Sequence, residues 1–252
     1  MSLRWNSLVR FTGGFAAAIA CLLLAACASS RRSTASTARP IPATESSVKP
    51  GINDDYLKPD LNTSTWVERF EKEGREIFDQ RQKIVAAVRL RPGSHVADIG
   101  SGTGLFTPML ARQVGTRGQV YAVDIVPAFL SLIRTRATEA GLHNIQTVHC
   151  TERSVELPPQ SIDLAFLCDV YHHFQYPQSS LASLHRALRR GGEVFVIDFK
   201  RIPGESSDWV LNHVRAGQEE VTAEFAAAGF RKVEEISLLK DNYVLRFRKV
   251  NR

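Results

Sequence analysis

Downstream of residue 95 the chain alternates between short apolar runs and stretches whose apolar positions recur every three to four residues. The runs 96–99, 119–123, 145–150, 162–167 and 194–199 are short and mostly Val, Ile, Ala, Leu and Phe, as strands covered on both faces require. Helical periods fill 105–114, 127–140, 179–190 and 218–228. Pro127 suits the first turn of its helix, and Gly141, Gly191 and Gly229 suit helix stops. This alternation predicts an α/β fold with a parallel sheet. Two final runs, 233–239 and 243–249, are separated only by Lys240, Asp241 and Asn242, a link that permits an antiparallel hairpin and nothing longer.

The first 62 residues break the pattern. Arg4 and Arg10 lead into an uncharged Ala- and Leu-rich run, 11–26, which reads as the basic and hydrophobic regions of an export signal. It is short for a membrane span, which needs about 20 apolar residues. Residues 28–62 are rich in Ser, Thr, Ala, Pro and Arg, show no apolar period, and read as a disordered tether. Thr65-Trp66-Val67-Glu68 then reads as a capping box, and Phe70, Ile77, Ile84 and Val88 follow at helical spacing. One helix, or two broken near Gly74, fits.

Charge sharpens this division. Of the net +6, residues 1–50 hold six basic side chains against one acidic, or +5, and the remaining 202 residues hold +1. The basic character belongs to the leader and tether. The globular part lacks the positive excess of a nucleic-acid binder, so no nucleic-acid partner is expected.

The candidate chemistry begins where the run 96–99 ends, in Asp98-Ile99-Gly100-Ser101-Gly102-Thr103-Gly104. Glycines at alternate positions adopt positive φ and let a ligand approach the backbone, and free loop N–H groups favour electron-rich ligand atoms. The next run ends in Asp124, where an acid accepts hydrogen bonds from ribose hydroxyls. Asp98-x-Gly100-x-Gly102-x-Gly104 resembles the first motif of the class I S-adenosylmethionine-dependent methyltransferases. A nicotinamide loop more often spaces its glycines G-x-G-x-x-G. The resemblance covers the chain from about residue 81 onward. It implies a Rossmann-like, doubly wound seven-stranded sheet of order 3-2-1-4-5-7-6, helices on both faces, and S-adenosylmethionine as cofactor. It implies that the glycine loop wraps the methionine part, that Asp124 with Ile125 holds the ribose, and that Thr151 and Glu152 stand near adenine. The last two depart from the family's usual acid and small residue. In this family N-terminal helices often lid the substrate pocket, although simple packing against the sheet satisfies the period of 63–90 equally. The expected organisation is a leader over 1–27, a tether over 28–62 and a methyltransferase domain over 63–252.

Leu24-Ala25-Ala26-Cys27 resembles the lipobox of bacterial lipoproteins. That resemblance implies a membrane partner through a lipid on Cys27. With Ala28 after it, the address would be the periplasmic face of the outer membrane.

Acids and histidines gather at the carboxyl ends of the predicted strands, where ligands of open α/β sheets bind: Asp98, Asp124, Asp169 and Asp198, with His172 and His173 just beyond Asp169. Asp169 is expected at the cofactor. His172 is the expected base, His213 in the long link 200–217 its alternate, and Asp198 the group that orients either ring. His173 is expected to point away. Adjacent histidines seldom share an ion comfortably, and no H-E-x-x-H or paired C-x-x-C accompanies them, so no metal is expected. Three functions compete: an exported methyltransferase acting on a small molecule, a lipoprotein that keeps the fold as a binding module without catalysis, and a nicotinamide oxidoreductase. The glycine spacing and terminal hairpin disfavour the last. The export signal motivates the second, because the cofactor is made in the cytosol. No motif names the methyl acceptor or an oligomeric state.

Overall fold

The computed structural model describes residues 45–250. Seven strands form one sheet in the order β3-β2-β1-β4-β5-β7-β6. They are β1 (His95–Ile99), β2 (Gln119–Asp124), β3 (Ile145–His149), β4 (Ile162–Cys168), β5 (Leu188–Phe199), β6 (Phe230–Glu235) and β7 (Asn242–Lys249). The pairs from β3 through to β5 are parallel, and β7 runs antiparallel to both β5 and β6. The order expected from the family resemblance is the order found.

Strand periodicity splits the core in two. Ala165, Leu167, Val194 and Val196 join one buried cluster with Leu181, Leu184, Val221 and Phe225, from α6 (Pro177–Ala187) and α8 (Gln218–Ala227). Their neighbours Leu164, Phe166, Phe195 and Ile197 point the other way, into a cluster with Ile84, Val88, Leu110 and Val114, from α3 (Arg81–Val88) and α4 (Thr107–Val114). Alternate residues of a strand face opposite sides, so helices must cover both. The remaining sheet-side helix is α5 (Pro127–Glu139), whose Phe129, Leu130 and Ile133 are buried.

Several boundaries differ from the sequence pattern. The helical period of 179–190 runs on past the true helix end at Ala187, because Leu188 is buried as the start of a strand. Leu188 pairs with Ile162, and Ser161 N–H donates to the Ala187 carbonyl (2.8 Å). Strand β6 begins three residues earlier than its apolar run, with a register shift between Lys232 and Glu234. The segment upstream of β1 forms three helices, α1 (Thr63–Phe70), α2 (Glu76–Asp79) and α3. Asn62, not Thr65, caps α1, its side chain accepting from Ser64 N–H at 2.9 Å. A further helix, α7 (Asp208–His213), lies in the link expected to be a loop.

The expected tether is shorter than its composition suggested. Residues 45–62 lie against the domain: Glu45 accepts from the backbone N–H of Gln178 and Ser179 (both 2.8 Å), capping α6. Lys49 Nζ donates to the carbonyls of Asn212 (2.7 Å) and His213 (2.6 Å). Polar residues that look solvated in sequence are here used as caps and pins. The expected leader with Cys27, and the expected tether up to residue 44, lie outside the described residues. Among the described residues no helix is long and apolar enough to cross a membrane.

Candidate functional site

A cavity of about 550 Å³ opens at the carboxyl ends of the parallel strands, a volume in the usual range for small-ligand sites. Its floor is the glycine loop between β1 and α4. Gly100, Gly102 and Gly104 all have positive φ. The three do different work. A Cβ on Gly100 would fall 2.1 Å from Val170, and one on Gly104 2.7 Å from Ile133, so these glycines let other elements close onto the loop. A Cβ on Gly102 would make only ordinary contacts, with the Phe70 ring at 3.6 Å and the Gly100 carbonyl at 4.0 Å. Of the three, only Gly102 is not closed off by a neighbouring side chain.

The loop's polar groups are largely committed. Gly100 and Ser101 N–H donate to the Val123 carbonyl (2.8 and 3.1 Å), and Gly102 N–H donates to Asp124 Oδ2 (2.8 Å). Free loop donors, as the sequence suggested, are therefore not what these three residues present. Asp124 also accepts from Val126 N–H at 2.8 Å. Each carboxylate oxygen retains lone pairs for a ligand. Burial pushes the Asp124 carboxyl up to about 6, against the pull of these backbone N–H groups. Burial raises Asp98 to about 7, opposed by the Thr107 hydroxyl that donates to it at 2.6 Å.

Opposite the loop stands a wall drawn from distant parts of the chain. Tyr56 stacks on Trp66 of α1, 4.4 Å between centroids, and Phe70 lies over Gly102. Two clamps hold this lid. Glu71 accepts from Thr103 Oγ1 (2.8 Å) and Arg136 (2.6 Å), and Arg75 donates to Asp169 at 2.5 Å. Asp169 also accepts from Asn242 at 2.6 Å. Asp169 thus lines the cavity as expected, but its carboxylate is a pin between lid and β7. Burial raises its pKa to about 6, partly countered by Arg75.

The histidines complete the wall. Residues Tyr171–His173 form one 3-10 turn. Its tight geometry sends the Tyr171 ring back to the core, where the hydroxyl donates to Glu224 (2.6 Å), and brings His172 and His173 side by side, 4.3 Å between ring centroids. The expectation that His173 points away is corrected here: three residues per turn keeps both rings on the cavity side. His213, at the end of α7, lies 5.3 Å from each of them and stacks on Trp209 (4.7 Å). Asp198, fully buried behind the wall, accepts from the His172 backbone N–H (3.0 Å) and holds its ring Nδ1 at 2.7 Å. Burial, then the neighbouring His172, lowers His173 to about 2 and His213 to about 4, so both are neutral at neutral pH.

Of the residues expected from sequence, Asp98, Gly100, Ser101, Gly102, Asp124, Ile125, Thr151, Glu152, Asp169, His172 and His213 all line this one cavity. Gly104 and Asp198 sit behind its lining and shape it. Sequence reasoning missed Asn53, Tyr56, Arg69 and Arg75 on the lid side and Trp209 at the mouth. Only the aromatic content of 56–70 could have signalled the first group.

Residues 97–196 match the family model described as methyltransferase domain. Fold, glycine loop and match together make this stretch similar to a methyltransferase domain. Among curated relatives, the ubiquinone/menaquinone biosynthesis C-methyltransferase UbiE of Xanthomonas campestris pv. campestris is 30% identical over 130 residues, covering 51% of this chain and 50% of that protein. The demethylmenaquinone methyltransferase of Listeria monocytogenes is 28% identical over 126 residues, covering 49% of this chain and 53% of that one. The chain thus spans about half the length of the curated relatives it matches. A solved S-adenosylmethionine-dependent methyltransferase from Aquifex aeolicus shares the fold, with a TM-score of 0.66 at 23% identity over 75% of this chain and all of that one.

Proposed function

We propose that the protein transfers a methyl group from S-adenosylmethionine to a small, ring-bearing acceptor. The observation that carries this reading is the meeting of two half-sites in one cavity: the Gly102–Asp124 floor and the His172–Asp198 wall. The residues present fit the cofactor. Asp124 has lone pairs for two ribose hydroxyls, Gly102 lines the cavity without a side chain, and Ile125, Val126 and Phe129 offer an apolar slot beside them. When bound, S-adenosylmethionine supplies the activated methyl. The chain's contribution is orientation in a closed cavity and management of one proton. His172, its Nδ1 held by Asp198, keeps Nε2 free to receive the proton that the acceptor gives up. A quinol-like ring is the acceptor class suggested by the names of the curated relatives.

The chain is further proposed to be exported and anchored by a lipid on Cys27, on the strength of the basic and apolar leader and Leu24-Ala25-Ala26-Cys27. The export pattern also supports the second reading, a binding module without turnover.

Calorimetry separates these readings. S-adenosylmethionine is expected to bind wild-type protein and not Gly102→Val, and a demethylated naphthoquinol added to the complex is expected to yield S-adenosylhomocysteine. Cofactor binding without turnover on any quinol would favour the binding module, and binding of a nicotinamide dinucleotide instead would overturn both. Intact mass of the membrane-extracted protein tests the anchor: a chain without a diacylglycerol adduct at Cys27 refutes it.

A further inference from the structure

The three histidines are more than a wall. Taking one nitrogen from each, His172, His173 and His213 offer atoms that all lie within 4.8 Å of one another, on one side of the cavity. We propose that they form a three-histidine site for a divalent transition-metal ion of the zinc and cobalt class, with its open coordination position facing the cavity.

Four observations support it. First, the tautomer of His172 is set: Nδ1 is engaged by Asp198 at 2.7 Å, which leaves Nε2 as the ligand nitrogen. A carboxylate holding the far nitrogen of a ligating histidine is the usual support of such sites. Second, His173 has a partner of the same kind, its Nδ1 lying 3.1 Å from Asn53 Oδ1. Third, the adjacency that argues against a shared ion in sequence is resolved by the 3-10 turn, which sets the two rings 4.3 Å apart at 43°. Fourth, His213 comes from a separate element, is half-buried and is held by its stack on Trp209. Nitrogens around a tetrahedral ion bound at about 2.0–2.1 Å lie roughly 3.4 Å apart, so the rings must close by about 1 to 1.5 Å. Asp198 lies behind His172, and the Lys49 ammonium, bonded to the His213 carbonyl, opposes it. Imidazole ligands with an open position suit zinc, cobalt, nickel or copper and not calcium or magnesium.

An ion here occupies the Nε2 lone pair that the proposed proton transfer uses, so the two uses of His172 exclude each other in one molecule. The metal inference stands apart from methyl transfer, and its test contains no turnover. Untagged full-length protein is stripped with chelator and titrated with Co²⁺, read by visible ligand-field absorption and by equilibrium dialysis. The expected result is one Co²⁺ per chain, displaced by Zn²⁺. His213→Ala, on the half-exposed arm, should weaken binding at least tenfold while thermal melting holds. Asp198→Asn should weaken it about 10- to 100-fold with all three ligands still present. His143→Ala, an exposed histidine elsewhere, should change nothing. No stoichiometric Co²⁺ in the wild type, or Co²⁺ retained at full affinity in both His213→Ala and His172→Ala, would overturn the site.

Discussion

The two halves of the cavity are built in opposite ways. The floor comes from one β-loop-α unit and the end of the next strand, and its bonds span about twenty residues, as between Gly102 and Asp124. The wall gathers residues near 50, 70, 172, 198 and 213, tied by contacts such as Asn53 to His173, 120 residues apart. A floor made locally is shaped for one constant ligand. A wall made from a strap, a lid and two links can be re-cut without disturbing the sheet. Cofactor binding and acceptor chemistry should therefore be separable by mutation.

The largest separation is expected at His172. Its replacement by Ala should lower methyl transfer by about 10²–10⁴ while S-adenosylmethionine affinity holds, since loss of a true base costs that much. His173→Ala should do less. A parallel fall in cofactor affinity would show that floor and wall are one unit. The converse test is Asp124→Ala, expected to weaken S-adenosylmethionine by about 2 kcal/mol, the worth of hydrogen bonds to a charged group, measured by calorimetry.

A smaller effect follows from pH. The Asp124 pKa is raised to about 6 by burial, so its charge is present above that pH and lost below it. In the proposed binding mode the charged form accepts the ribose hydroxyls, so cofactor affinity should fall by up to about tenfold between pH 7 and pH 5. Asp124→Asn should flatten that profile. Smallest is Glu71→Gln, which loosens the clamp that joins the lid to Thr103 of the floor and to Arg136. A change of about threefold in the cofactor's exchange rates, with affinity and turnover per bound complex nearly unchanged, is the expected result.

The same contrast explains what the sequence disclosed. The floor was legible because its signal is local: Asp98, three spaced glycines and Asp124 sit within one supersecondary unit. The sheet order and hairpin followed from the motif and from the spacing of apolar runs. What escaped was non-local. Nothing in Glu45 or Lys49 announces a cap for α6 or a pin on α7, and residues 45–62 were read as tether from composition alone. His173 faces the cavity with His172 because adjacency in sequence means divergence in space along a strand but not in a 3-10 turn. The helical period runs past Ala187 into Leu188 because a buried strand start and a helix end share the same apolar residues.

The Glu71 clamp has a kinetic side. Glu71 belongs to the lid, Thr103 to the glycine loop and Arg136 to α5, so the clamp closes over the floor whatever ligand lies there. Ligand exchange then waits on a hydrogen-bonded ion pair that is itself partly open to solvent, at 29% and 19% exposure for its two side chains. Residence time becomes a property of the latch and not of the ligand's own contacts. Added salt, which screens such a pair, should shorten residence and quicken entry together, leaving the equilibrium constant nearly where it was.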